Sequence, residues 1–285
     1  MRLLLALNWS VTRRFCLVTA FCFTAGVANG SIVFDWPSSP GWTAGTPGPG
    51  TTATQQFTSV NPNDINVDVN NNGANASGAT FQASYPQISA NPLTGGFTGV
   101  NALQLYVSAE ATVASYIRTT VTFATPVINL SFQIWDVDSV AGQFTDKISN
   151  IQALAQGGGT VGATSVTSVT PGFNTITGTG LATVVLGTAN AANNTNQGSI
   201  NVTFSGPITQ FSFDWSNNDA GLGAQAIALG PLTYDVVPEY DPAFGALAAC
   251  LTAILGEKSR RRKSEPEWVR WDRQSRTLYR ERLKL

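Results

Sequence analysis

Three aspartates in a short stretch, Asp136, Asp138 and Asp146, are the residues whose type and spacing best suit chemistry. Asp136 and Asp138 are two positions apart, so on an extended strand their carboxylates share one face at a separation of about 7 Å. A loop that carries Asp146 could bring a third oxygen donor to them. Oxygen-only ligands suit Ca²⁺, which is available outside the cell. The spacing therefore predicts a candidate calcium site.

Two other interpretations of these acids stay open. They can be solvated loop acids of an acidic surface protein, or a pair of catalytic carboxylates such as a glycosidase needs. Sugar stacking would need exposed aromatic rings, for which the candidates are Trp36, Trp42, Trp135 and Trp215. Trp135 and Trp215 end predicted strands, so the core is the expected place for both.

Most other catalytic chemistry is excluded by composition. The chain has no histidine, which removes His-based acid–base catalysis, Ser-His-Asp and Cys-His nucleophiles and His-ligated zinc. No P-loop, nucleophile elbow or dinucleotide fingerprint occurs between a strand and a helix. We therefore expect no enzymatic activity, no catalytic residue and no cofactor, apart from the candidate Ca²⁺.

Charge is distributed unevenly along the chain. Residues 31–239 contain nine Asp and two Glu against only Arg118 and Lys147, a net charge of −9. Residues 257–285 contain eleven Lys or Arg against five Asp or Glu, a net charge of +6. An acidic domain repels nucleic acid, so we expect no nucleic-acid partner. Basic flanks around an acidic domain agree with a domain placed outside the membrane.

The region between the ends has the pattern of β-structure throughout. Apolar and polar residues alternate in residues 116–123, 128–134, 200–204 and 211–215, and no helical period is present. Turn signals separate roughly twelve such segments. This pattern predicts a single all-β domain over residues 31–236, an antiparallel β-sandwich of jelly-roll type, with its last strand over residues 226–236.

One internal repeat is present in this region. Residues 121–132 match residues 202–213, 81 positions later, and each copy reads as strand, Pro-marked turn, strand. We interpret the copies as two equivalent hairpins of one sandwich, with Phe123, Phe132, Phe204 and Phe213 facing one core. Three stretches poor in core residues, 37–52, 61–78 and 187–197, are predicted to be surface loops.

The N-terminus has the pattern of an export signal. Arg2, Arg13 and Arg14 precede an uncharged apolar run over residues 15–28, and small residues follow. Residues 1–30 therefore read as a signal peptide, with cleavage near Gly30 or Ala28. Two of the three cysteines lie in this peptide and the third, Cys250, lies near the C-terminus, so the domain between has no disulfide.

The C-terminus combines three features: Val237-Pro238-Glu239, an uncharged run over residues 243–256, and Arg260-Arg261-Arg262-Lys263. As a helix the run is about 21 Å long, which is shorter than the membrane core of about 30 Å. The segment 237–263 resembles the PEP-CTERM sorting signal of Gram-negative bacteria. Tyr240 follows the glutamate where that family usually has proline, and 22 residues follow the basic cluster.

The resemblance implies a partner and a location. The partner would be an exosortase-type membrane transpeptidase, and the chain would meet the membrane transiently or through the C-terminal helix. The location would be the cell surface, outer envelope or extracellular matrix. Residues 264–285 form a basic tail, which reads either as a helix on the cytoplasmic leaflet or as a disordered segment.

Together these features predict an exported, non-enzymatic surface or matrix protein. One alternative is a carbohydrate-binding module, which a group of exposed, coplanar aromatic rings would favour; polysaccharide is then the partner. A weaker alternative is a secreted glycan-active hydrolase or lyase, which a cleft with two facing carboxylates would favour.

The sorting interpretation makes a prediction about deletion. Removing residues 243–285 should release a soluble, folded domain into the medium, because the deleted part contains the membrane-directed run and its basic stop. Cell fractionation and circular dichroism of the released protein measure this. Replacing Arg260, Arg261 and Arg262 by Glu should disturb membrane orientation without unfolding the domain. A deletion that unfolds the domain would contradict the interpretation.

Overall fold

The computed structural model describes residues 30–37, 41–58, 64–72, 80–90, 99–109, 115–221 and 223–237. They belong to the first of the two units into which the chain divides, Met1–Val237 and Pro238–Leu285. The predicted signal peptide up to residue 29, Pro238, Glu239, the apolar run, the basic cluster and the tail lie outside the described residues. Within the described ranges there is no helix long and apolar enough to cross a membrane.

The described residues form sixteen β-strands and no helix, and every strand pair is antiparallel. The all-β antiparallel class predicted from the sequence is confirmed. The strands are β1 Ile32–Phe34, β2 Thr52–Phe57, β3 Ile65–Asn72, β4 Thr80–Phe81, β5 Gln87–Ser89, β6 Ala102–Ala109, β7 Tyr116–Trp135, β8 Ser139–Val140, β9 Phe144–Ala155, β10 Thr160–Gly162, β11 Ser165–Ser168, β12 Asn174–Thr177, β13 Val184–Gly187, β14 Ile200–Phe204, β15 Ile208–Asn217 and β16 Gln225–Val236.

The 20-residue strand β7 takes part in both layers of the sandwich. Its first half pairs with β3 and β15, in a layer that continues through β9 and β13 to β12. Its second half pairs with β14 and β16, in a layer that continues to β11 on one side and to β6 and β1 on the other. We call these the β3 layer and the β14 layer.

The repeated segments are equivalent, but they are not hairpins. Copy one is β7 itself, which crosses from the β3 layer to the β14 layer near Pro126. Copy two crosses in the opposite sense, from β14 to β15, near Pro207. The copies pair with each other, with Val202 opposite Phe132 and Phe211 opposite Val121. Proline has no N–H to donate to a strand ladder. Each copy of the repeat therefore leaves its layer at its proline and continues into the other layer without folding back on itself.

The core lies between the two layers. Phe132 of the β14 layer stacks on Phe211 of the β3 layer with ring centroids 4.5 Å apart. Phe123 meets Tyr234 edge-on at 5.3 Å in the same way. All four repeat phenylalanines are buried in one cluster, as predicted. Contacts of this kind across the interior hold the layers face to face.

One predicted loop is wrong. Within residues 61–78, which we expected to be a surface loop, Ile65–Asn72 forms strand β3. Ile65, Val67 and Val69 are fully buried on one face and pair with β7. The Asn and Asp residues between them lie on the other face of the strand. Apolar and polar residues therefore alternate as in any half-buried strand, but the high Asn and Asp content led us to predict a loop. In their described residues, the other two predicted loops contain strand only at one terminal residue each, Thr52 and Gly187.

The stacked pair between the layers generates a stability prediction. Phe132→Ala should lower the free energy of unfolding by about 3–5 kcal/mol, because it removes a buried ring and leaves a cavity against Phe211. Urea unfolding followed by tryptophan fluorescence measures the change. Val33→Ala is the control, since Val33 is 56% exposed and its loss should change stability by about 0.5 kcal/mol or less. Equal effects of the two substitutions would contradict the layered core.

Candidate functional site

A cleft opens at the end of the β14 layer, where β7 ends and its antiparallel neighbour β16 begins. Its volume is about 270 Å³. Four parts of the chain supply its walls: β6, the segment from the end of β7 to the start of β9, the loop after β13, and the start of β16. The lining residues are Tyr106, Asp136, Asp138, Val140, Phe144, Asn190, Ala191, Asn193, Ala224, Gln225 and Ala226.

Asp136 is the first residue after β7 and turns the chain into the cleft wall. Its backbone has φ of 64°, in the left-handed region that aspartate tolerates better than most residues. Its side chain is 8% exposed, lines the cleft, and its Oδ1 has no hydrogen-bond partner. A buried carboxyl oxygen without a donor is unfavourable, which makes Asp136 a candidate for contact with a ligand.

Backbone contacts fix the segment 136–138. The Val137 N–H donates to Gly198 O at 3.0 Å, and the Asn174 side-chain amide donates to Val137 O at 2.6 Å. At Gly187 a Cβ would lie 2.0 Å from Asp138 O, so only glycine allows β13 to approach this closely. The two acids on either side of Val137 are therefore held in place by the fold.

Asp138 and Asp146 have different roles although both are buried. Asp138 lines the cleft, and its Oδ2 accepts the Ala191 N–H at 2.7 Å. Asp146 is not among the lining residues. Its Oδ1 accepts the Trp215 indole N–H at 2.7 Å, and its Oδ2 accepts the Asp138 N–H at 3.2 Å. The structure thus brings two of the three predicted aspartates to the cleft and places the third behind them.

Burial raises the pKa of all three aspartate carboxyl groups. Burial first, and the charge of Asp138 second, raise the pKa of Asp136 to about 8. Burial raises the pKa of Asp138 to about 6 against the opposing hydrogen bond from Ala191. The pKa of Asp146 is also raised, by burial and by the neighbouring charge of Asp138. Burial therefore favours the protonated, uncharged form of these carboxyl groups.

The calcium prediction stays a prediction. In the part of the chain that the structure describes, no three His, Cys, Asp or Glu side chains form a group that could hold a metal ion. A cation at this place would need neutral oxygen donors beside Asp136 and Asp138.

Gln225, which sequence reasoning missed, is a second buried polar residue of the cleft whose side-chain atoms have no partner. It is the first residue of β16, is 2% exposed, and neither its amide nitrogen nor its amide oxygen has a hydrogen-bond partner. Beside it, Ala226 pairs with Tyr106, whose half-buried ring also lines the cleft. One sequence feature indicates its burial. Gln225, Ile227 and Leu229 are two positions apart along the strand, so the Gln225 side chain lies on the same buried face as the two apolar ones.

The four predicted stacking tryptophans do not form a sugar platform. Trp36, Trp135 and Trp215 are buried, which confirms the expected core position of the last two. Trp42 is half-buried and its indole N–H donates to Gly45 O at 3.1 Å. Among the described residues, none of the four predicted stacking tryptophans lines the cleft.

No protein-family model matches the sequence, and comparison with curated proteins gives no match. The similar solved structures include two family 11 carbohydrate-binding modules from Clostridium thermocellum. One, in complex with a β-1,3-1,4-mixed-linked tetrasaccharide, has 12% identity and a TM-score of 0.30; it covers 75% of this chain and 99% of that chain. The other, from a cellulosomal cellulase, has 12% identity, a TM-score of 0.29 and the same coverage. Likeness at this level transfers no ligand to this chain.

The raised pKa values of Asp136 and Asp138 predict an unusual pH dependence of stability. The unfolded pKa of aspartate is about 3.9, so Asp136 and Asp138 take up protons on folding, and the folded state loses stability as pH rises from about 4 to about 8. Asp136→Asn should flatten the upper part of this fall, because an amide of the same shape does not ionise. Asp35→Asn, at an exposed aspartate, is the control. Melting temperatures in chelator across this range measure both variants, and a wild-type stability that rises with pH would contradict the prediction.

Proposed function

We propose that this chain is an exported, non-enzymatic protein of the bacterial cell surface or extracellular matrix, and that the cleft beside Asp136 binds polysaccharide. The observation that carries the proposal is the unpartnered amide of Gln225, buried in a cleft that also contains Asp136 and Tyr106.

The polar groups of the cleft match the chemistry of sugars. A buried amide that makes no hydrogen bond costs about 1–3 kcal/mol, a cost that a ligand with donors and acceptors can remove. Sugar hydroxyls both donate and accept, so one hydroxyl can serve the Gln225 amide and another can donate to Asp136. The Tyr106 ring adds an apolar surface for a sugar face. The cleft volume of about 270 Å³ lies just below the range of about 300–1,000 Å³ typical of small-molecule sites, so it suits a small part of a glycan chain.

The arrangement of the acids favours binding over hydrolysis. Glycosidases place two carboxyls on opposite sides of the scissile bond. Asp136 and Asp138 come from one three-residue segment, and one oxygen of Asp138 already accepts the Ala191 N–H. A bond held between two opposed carboxyls is therefore not the expected geometry.

Location at the cell surface is supported by the ends of the chain and by charge. The resemblance of residues 237–263 to an exosortase signal and the export pattern of residues 1–30 are the main support. β16 ends at Val236, and the Val237 N–H still donates to Pro126 O at 3.0 Å. The regular sheet therefore ends where the Val237-Pro238-Glu239 motif begins, which suits processing at that point.

Glycan binding is tested with a substitution that separates ligand contact from folding. The purified full-length protein should bind one or more polysaccharides on a glycan array, and Gln225→Met should weaken that binding about tenfold or more. The same variant should keep or raise the melting temperature, because it replaces an unpartnered buried amide with an apolar side chain of similar shape.

The control for this experiment is Gln56→Met, at an exposed position of β2, which should leave binding unchanged. Absence of binding to any glycan, or equal binding by Gln225→Met, would contradict the proposal. Release of new reducing ends from a bound glycan would favour the hydrolase.

A further inference from the structure

We propose that Asp136 and Asp138 bind a calcium ion in the cleft together with neutral oxygen donors of its wall, and that Asp146 positions this pair without touching the ion. The proposal differs from the three-acid site predicted from the sequence. It shares Asp136 and Gln225 with the proposed polysaccharide site, but it is tested with calcium alone, so the two proposals can be separated.

The first argument is charge balance. Three carboxyls lie together in this part of the fold, and the only two basic residues of positions 31–239 are Arg118 and Lys147. Arg118 pairs with Asp214, its Nε 2.6 Å from that carboxylate, and neither base lines the cleft. Buried carboxylates without a basic partner are unfavourable by several kcal/mol unless they are protonated or meet a cation.

The second argument is the supply of unused oxygen atoms. Asp136 Oδ1 and the Gln225 side chain are more than nine-tenths buried, have no hydrogen-bond partner, and belong to residues that line the cleft. Ca²⁺ takes six to eight oxygens, including amide carbonyls and waters as well as carboxylates. Gln225, Asn190 and Asn193 offer such carbonyls around the two acids.

The third argument is preorganisation. The Ala191 N–H donates to Asp138 Oδ2 at 2.7 Å, which fixes the orientation of this carboxyl group. Asp146 accepts hydrogen bonds on both of its oxygens, from Trp215 and from the Asp138 backbone, and its N–H donates to Asp138 O at 2.9 Å. It therefore anchors the segment from behind, as residues that orient metal ligands do.

The oxygen-only donors of the cleft favour Ca²⁺ over other metal ions. Zinc is disfavoured, because the lining residues include neither histidine nor cysteine. Mg²⁺ demands a small octahedral shell and gives up water reluctantly, whereas Ca²⁺ accepts irregular oxygen shells with amide ligands. A cleft of about 270 Å³ has room for an ion with several waters, each of which occupies about 30 Å³.

The test titrates CaCl₂ alone into full-length protein previously treated with chelator, by isothermal titration calorimetry at about pH 8, with no sugar present. Extracellular calcium modules have dissociation constants of about 0.1–1 mM, and we expect a value in this range. About 10 mM CaCl₂ should then raise the melting temperature by about 3–10 °C. The rise should be smaller at about pH 5, where protons occupy the carboxyls that the ion needs.

Three variants make the test specific. Asp136→Asn and Asp138→Asn should each weaken calcium binding about tenfold or more, since each removes a charged ligand. Asp35→Asn, at an exposed aspartate, should bind as the wild type does. Asp136→Asn also removes a buried charge, so its melting temperature without calcium should not fall; loss of binding in a folded variant then reports on the ion.

The proposal is overturned by absence of heat and of any melting shift with CaCl₂ at about pH 8. It is also overturned if both cleft variants keep wild-type affinity, or if MgCl₂ binds as tightly as CaCl₂. Glycan binding plays no part in these outcomes, so either proposal can fail while the other stands.

Discussion

The pairing of β7 with four strands is the interaction on which the rest of this structure depends. β7 pairs with β3 and β15 in one layer and with β14 and β16 in the other. Because one strand belongs to both layers, the spacing of the layers and their register are set by a single stretch of backbone. The end of that stretch is Trp135, and the next residue is Asp136 at the cleft. The ladder that builds the core therefore also determines where the cleft acids lie.

The cleft buries polar groups without hydrogen-bond or ionic partners, which protein interiors usually avoid. A domain without disulfides must gain its stability from packing, and this one packs its aromatic residues tightly between the layers. At one end it nevertheless buries carboxyls that no base neutralises and an amide that no group satisfies. Groups of this kind, held by backbone hydrogen bonds, are characteristic of sites that keep unfavourable polar atoms ready for a ligand.

The two copies of the repeat show how one pattern can be used twice without a hairpin. Each copy contributes one segment to each layer, and the copies run antiparallel as immediate neighbours. The prolines interrupt the ladder at the crossing in both copies. Phe123 and Phe204 occupy corresponding positions of the repeat, as do Phe132 and Phe213, and all four are buried in one core.

Local alternation was sufficient to predict several elements. The apolar faces of residues 116–123 and 130–134, the burial of the four repeat phenylalanines, and the last strand to within one residue follow from a period of two, which is a property of the backbone alone. Strand β3 was missed because Asn and Asp occupy its outer face. Which strands pair, and that β7 is one strand and not two, depend on long-range hydrogen bonds that no local pattern contains.

For the candidate site, the sequence determined which groups are available and the tertiary structure decided which of them meet. The sequence supplied the spacing of Asp136 and Asp138 and excluded histidine chemistry. Only the fold placed Gln225 beside them, from a strand that begins some ninety positions later, and turned Asp146 toward Trp215. The physical reason is that spacing along a chain fixes distance only within one strand, whereas a cleft is made where the ends of distant strands are brought together by pairing.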